Sequence, residues 1–169
     1  MAVPPVFGMR FLLDPEQQRR SFYVFMFQVP GVAEAAIPNE DFAFVRWLWR
    51  QWSPGWDPPE DHRDDVIEAL RKPGAVESAL AYYRSFFDQA YQDPEFEDVR
   101  ARLFDDISVP TLLLMGERDG CVAPGVEGAG SAFTGAYRFE LVPQAGHFLH
   151  LERPDEVAAH ILRWFRQTG

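Results

Sequence analysis

Two stretches in the last third of this chain constrain its fold more than any others. The run VPTLLLM, residues 109–115, is continuously apolar behind Pro110 and is bounded by Gly116. That is the pattern of a strand buried in a parallel sheet. The segment YRFELV, residues 137–142, reads as a second strand. Between them, residues 125–133 are expected to form a short helix, weakened by Gly128 and Gly130. After them, residues 154–166 read as an amphipathic helix with proline at its start and Val157, Ile161, Leu162 and Phe165 on one face.

Each strand leads into a loop that carries an ionisable residue. Asp119 follows the first strand and His147 the second. In open α/β sheets the functional loops lie beyond the carboxyl ends of the strands, so both residues are expected on one edge. A carboxylate that accepts the imidazole Nδ1–H holds the tautomer and stabilises the imidazolium, which leaves Nε2 to act as a base. Gly146 permits the tight turn before His147. Either residue alone is as well read as a loop acid capping the next segment and an ordinary loop histidine. Together, in this order, they read as the last two members of a hydrolytic triad.

Before Ile107 the chain is all helix signals. Residues 1–13 are irregular, with Pro4, Pro5 and Gly8, and read as a connection rather than a signal peptide. Asp14-Pro15-Glu16 is a helix start, and the helix is expected to run through QQRRSFYVFMFQ to Pro30-Gly31. Its second half is apolar on every side, which calls for cover on every side. Asn39 is expected to cap a helix through residues 41–51. Asp57 should cap the next, which contains Val66, Ile67 and Leu70. Further helices are expected over residues 75–91 and from Asp93-Pro94 to Leu103. The division this implies is a helical region, 1–105, followed by a βαβα region, 106–169.

Composition narrows the function. With 26 acidic and 16 basic residues the formal net charge is −10, which argues against nucleic acid and anionic membranes as partners. No apolar run is long enough to span a bilayer. The single cysteine, Cys121, forbids an internal disulfide and fits a reducing compartment, so a cytoplasmic location is expected. Neither a cofactor nor a metal is expected. No G-x-S-x-G or G-x-D-x-G nucleophile turn occurs in the 169 residues. Cys121, two residues beyond Asp119, is a weak nucleophile candidate and is better read as a small buried thiol.

The segments PTLLLMGERDGCV and QAGHFLHLERPDEV resemble the acid and histidine loops at the carboxyl end of α/β-hydrolases. The helical region resembles the cap domain of the epoxide hydrolase branch. The aromatic helix ending F-Q-x-P-G, in RRSFYVFMFQVPGVAE, carries the likeness most specifically. The fold class this implies is α/β: a partial α/β-hydrolase fold, with the helical cap followed by the last two strands and helices of the sheet. By position Tyr23 and Tyr83, the latter beside Tyr82, fall on the two cap tyrosines of that family. Phe22, Phe27 and Trp47 would line the pocket for a small hydrophobic substrate.

In that family an aspartate attacks an epoxide carbon and the tyrosines hold the epoxide oxygen. The acid-supported histidine then activates water against the alkyl-enzyme ester. The resemblance implies the same roles for His147, Asp119, Tyr23 and Tyr83. A haloalkane dehalogenase or an esterase of the same fold is the neighbouring enzymatic alternative. The nucleophile and the earlier strands of such a fold have no counterpart here. The chain then reads as part of a complete hydrolase, as half of a split enzyme completed by a complementary chain, or as a non-catalytic interaction module, for instance with a homodimer partner.

Overall fold

A computed structural model describes residues 13–125 and 130–169. The expected irregular segment at the start, up to residue 12, and residues 126–129 of the expected helix between the strands lie outside the described residues. The chain divides into two compact units. One comprises Met1–Arg20, Gln51–Trp56 and Arg102–Gly169; the other comprises Ser21–Arg50 and Asp57–Ala101.

In the first unit, strand β1 (Thr111–Gly116) lies parallel to β2 (Tyr137–Val142), with Thr111 opposite Tyr137 and Gly116 opposite Val142. Residues 130–132 of the expected inter-strand helix form a 3-10 turn, and its last residue, Phe133, is extended in a parallel bridge with Ile107. Helix α1 (Pro15–Arg20) opens as expected, with the Asp14 carboxylate accepting the Glu16 N–H at 2.9 Å. The short helix α8 (Leu149–Glu152) and the long α9 (Pro154–Thr168) close the unit. Val142, Ala145 and Val157 form a buried core, with Leu114 and Leu149 packed against it.

Helix α9 buries a different face from the expected one. Val157 and Trp164 are buried, whereas Ile161, Leu162 and Phe165 are exposed, Phe165 by 67%. Residues 157 and 164 are seven apart, two helical turns on one stripe, and that stripe meets the core. Most of the two-stranded sheet is only half-buried, although parallel sheets are ordinarily covered on both faces.

The second unit is helical: α2 (Phe22–Met26), α3 (Val32–Ala36), α4 (Asn39–Trp52, entering the first unit at Gln51), α5 (Glu60–Arg71), α6 (Ala75–Arg84) and α7 (Glu97–Ala101). The single helix expected through residue 28 is broken at Ser21, which separates α1 from α2. Tyr23 and Phe27 are buried, but Phe22 and Phe25 are about two-fifths exposed, so the apolar segment is not covered on every side.

Three consecutive residues at the start of α4, Glu40, Asp41 and Phe42, have left-handed backbones (φ 47°, 54° and 60°). Each costs on the order of 1–2 kcal/mol for a residue with a Cβ. The Phe42 ring is buried, and Asp41 pairs with Arg46 and Arg71. Asp57 does not cap α5. Pro59 holds the N-cap position, and Asp57 pairs with Arg63 at 3.1 Å. The helix expected over 75–91 ends at Arg84. A 3-10 turn follows at Gln89–Tyr91, and a second at Pro94–Phe96 begins where Asp93 accepts the Glu95 N–H at 3.0 Å.

Candidate active site

The parallel register places the two loops side by side. Backbone pairing continues past the strands: the Glu117 N–H donates to the Val142 carbonyl at 3.0 Å and the Arg118 N–H to the Ala145 carbonyl at 2.8 Å. These bonds carry Asp119 and His147 to one edge, where His147 Nδ1 meets Asp119 Oδ2 at 3.0 Å. The other carboxylate oxygen, Oδ1, accepts the N–H groups of Cys121 (2.7 Å) and Val122 (2.8 Å). Asp119 therefore caps its own loop with one oxygen and holds the imidazole with the other. The loop-cap reading of Asp119 is met by Oδ1, while Oδ2 faces the imidazole.

Burial disfavours the imidazolium of His147. Hydrogen bonds to the Asp119 carboxylate and to the Cys121 sulfur outweigh it, and the pKa is pushed up from 6.5 to about 10. The Trp52 ring stands edge-on to the imidazole, with centroids 5.5 Å apart. Cys121 itself is buried.

Residues from two distant parts of the chain secure these loops. Gln17, fully buried, donates to the Cys121 carbonyl at 3.0 Å and accepts the Ala123 N–H at 2.8 Å. Arg20 donates to the Asp119 carbonyl at 2.7 Å. The Trp52 carbonyl accepts the N–H of both Gly120 and His147, each at 3.0 Å. Ser53, also fully buried, donates to Glu152 at 2.7 Å. The sequence assigns this role to none of these residues. The one available signal was that Gln17 is a polar residue in an otherwise ordinary helix start, and its partners lie about 100 positions away.

Gly146 is required by close approach rather than by backbone angle. A Cβ there would lie 2.5 Å from Ser53 Cα. Gly146→Ala is expected to destabilise the chain by about 1–3 kcal/mol through this overlap, measured as a lower urea midpoint with an unchanged denaturant slope.

In the helical unit, Tyr23 and Tyr83 meet edge to face with ring centroids 5.9 Å apart. Phe27 packs on both, at 5.6 Å and 5.0 Å. Phe22 reaches Trp47 at 5.9 Å. The residues expected to form a pocket thus belong to one aromatic cluster. Tyr82 is 65% exposed while Tyr83 is half-buried, which separates the two neighbours. The F-Q-x-P-G segment also has a structural explanation. Buried Arg84 donates to the Phe27 carbonyl at 2.9 Å, and the Gln28 amide donates to the Tyr83 carbonyl at 3.4 Å. Arg84 also pairs with Glu34 at 2.8 Å, and holds the Glu34 carboxyl at about 2, well below the usual range. Among the described residues, no cluster of His, Cys, Asp and Glu is arranged to hold a metal ion.

An α/β sheet edge with an acid–histidine pair is shared by many hydrolases. A family model described as the alpha/beta hydrolase family matches residues 1–160. The chain belongs to that family.

Among its relatives, epoxide hydrolase 3 of Xenopus tropicalis is 31% identical over 160 residues, covering 91% of this chain and 41% of the relative. Epoxide hydrolase A of Mycobacterium tuberculosis is 26% identical over 189 residues, covering 92% of this chain and 57% of the relative. An epoxide hydrolase of Bacillus megaterium, solved in complex with an inhibitor, superposes with a TM-score of 0.72 at 22% identity, over 96% of this chain and 57% of that one. That likeness shows the fold. The chain spans about half the length of the relatives it matches, so this is part of an α/β-hydrolase architecture. Among the described residues no helix is long and apolar enough to cross a membrane.

Proposed function

We propose that this chain supplies the base, its supporting acid and the oxygen-binding tyrosines of an epoxide hydrolase that converts an epoxide and water to a vicinal diol. The 3.0 Å pair of His147 Nδ1 and Asp119 Oδ2 carries the reading. The pairing of Tyr23 with Tyr83 and the names of the relatives support its finer part.

The nucleophile comes from outside these 169 residues, so the chain alone is inactive. A carboxylate on a complementary segment attacks an epoxide carbon, and the C–O bond breaks. The oxygen that gains the charge takes a proton from a tyrosine. Phenols suit this task because they stay protonated near neutrality while preorganised to donate. His147 Nε2, in the neutral form of the imidazole, then takes a proton from water as the water oxygen adds to the ester carbonyl. Collapse expels the ester oxygen, which takes the proton held by His147 to complete the diol, and the proton of the freed carboxyl returns to the tyrosinate, which regenerates the carboxylate. The substrate is a small hydrophobic epoxide held by Phe22, Phe27 and Trp47.

The test is to complement the chain with the amino-terminal half of an epoxide hydrolase relative and follow diol formation. Tyr23→Phe and Tyr83→Phe are each expected to lower the alkylation rate by about 10²- to 10³-fold, read in single-turnover experiments. Turnover of haloalkanes that is indifferent to both hydroxyls, or hydrolysis of esters without epoxides, would refute the assignment.

A further inference from the structure

We infer that Ser53 and Glu152 are positioning residues for His147, acting as a brace that holds the histidine loop against the acid loop. This rests on the reading of His147 as the base. The inference begins with the donors on either side of the histidine. The Gly146 N–H donates to Glu152 Oε2 at 2.7 Å, and the Phe148 N–H donates to Oε1 at 3.1 Å. One carboxylate therefore bridges the two peptide groups flanking the base.

Ser53 completes the bridge. Its hydroxyl donates to the same Oε1 at 2.7 Å and receives the Phe148 N–H at 3.2 Å. Ser53 is fully buried, so the hydroxyl is committed to this network and is not a nucleophile exposed to substrate. The preceding residue joins the network to the acid loop. The Trp52 carbonyl takes the N–H of His147 itself and that of Gly120, next to Asp119. A dipeptide about 65 residues from Asp119 and 95 from His147 in sequence thus touches both members of the pair. Neither Ser53 nor Glu152 touches the imidazole. Their role is to keep its Nδ1 at 3.0 Å from Asp119.

Glu152→Gln tests this without changing shape. Three donors converge on the two oxygens of Glu152. The amide of glutamine offers one oxygen and one N–H₂, so at least one donor loses its acceptor. The readout is the His147 titration midpoint in this chain, followed by NMR of the imidazole. It is expected to fall by about one pH unit or more in Glu152→Gln, and by less in Ser53→Ala, as the Asp119 contact loosens.

An unchanged midpoint in both folded variants overturns the proposal. Should either fail to fold, hydrogen exchange in the unmodified chain decides. The amides of Gly146, His147, Phe148 and Gly120 are expected to exchange slowly and together, and rapid exchange at Gly146 and Phe148 overturns the brace. None of these measurements needs substrate or a nucleophile. A protein that shows the shift but ignores epoxides refutes the proposed reaction and leaves the brace standing.

Discussion

In an enzyme reassembled with a nucleophile-bearing segment, His147→Gln is expected to stop turnover at a covalent alkyl-enzyme ester. Loss of a general base lowers the dependent step by about 10²- to 10⁴-fold. Alkylation does not need the base, so one turnover should proceed. The ester should then appear as a mass increase equal to the epoxide on the complementary segment, in stoichiometric amount. The ordinary enzyme should show no such burst at long times. No accumulated ester, with free diol still forming at the normal rate, would mean that His147 does not activate the water. Glutamine suits the experiment because it approximates the size of the imidazole among Trp52 and Phe148 while offering no base.

The second large effect is expected from Asp119→Asn. Asparagine keeps a carbonyl oxygen for the N–H groups of Cys121 and Val122, so the loop cap survives. The negative charge beside His147 Nδ1 is lost. The imidazole pKa should fall from about 10 towards its ordinary 6.5, because burial then acts without the ion pair that outweighed it. Activity should fall by about 10⁴-fold at the plateau, the cost of an imidazole in the wrong tautomer. The pH dependence should move with the pKa. In the unmodified site the base form grows as pH rises to about 10, and in Asp119→Asn the plateau is reached at lower pH.

Stability provides an independent check on the same pair. The folded pKa of His147 lies above its unfolded value of about 6.5. Its stabilising contribution is therefore complete below that value and is lost as pH rises through about 10. The unmodified chain should lose on the order of a few kcal/mol across that window, read from urea midpoints. Asp119→Asn should show a much flatter profile. Equal slopes in both chains would show that the pair contributes nothing to folding.

The pair was legible in the sequence because its signals are local. Each residue follows an apolar run by a few positions, and parallel strands in register bring equivalent loop positions to one edge. The aromatic cluster was legible only through resemblance, since a stripe of tyrosine and phenylalanine at helical spacing is ordinary core. The misread elements share one cause. Ser21 breaks an apolar helix, Pro59 takes the place of Asp57 as N-cap, and α9 turns Val157 and Trp164 inward instead of Phe165. In each, local propensity permitted two outcomes and packing selected one.

The sequence by itself determined the class of architecture, the two strands, and the placing of Asp119 and His147 as an ionisable pair at their ends, because strand period and loop position are properties of neighbouring residues. Only the tertiary structure decided what holds that chemistry in place. Gln17, Arg20, Trp52, Ser53 and Glu152 reach the acid and histidine loops, most of them across wide gaps in sequence. The bonds they make to backbone N–H and C=O groups leave no pattern in residue type, because every peptide unit offers the same donor and acceptor.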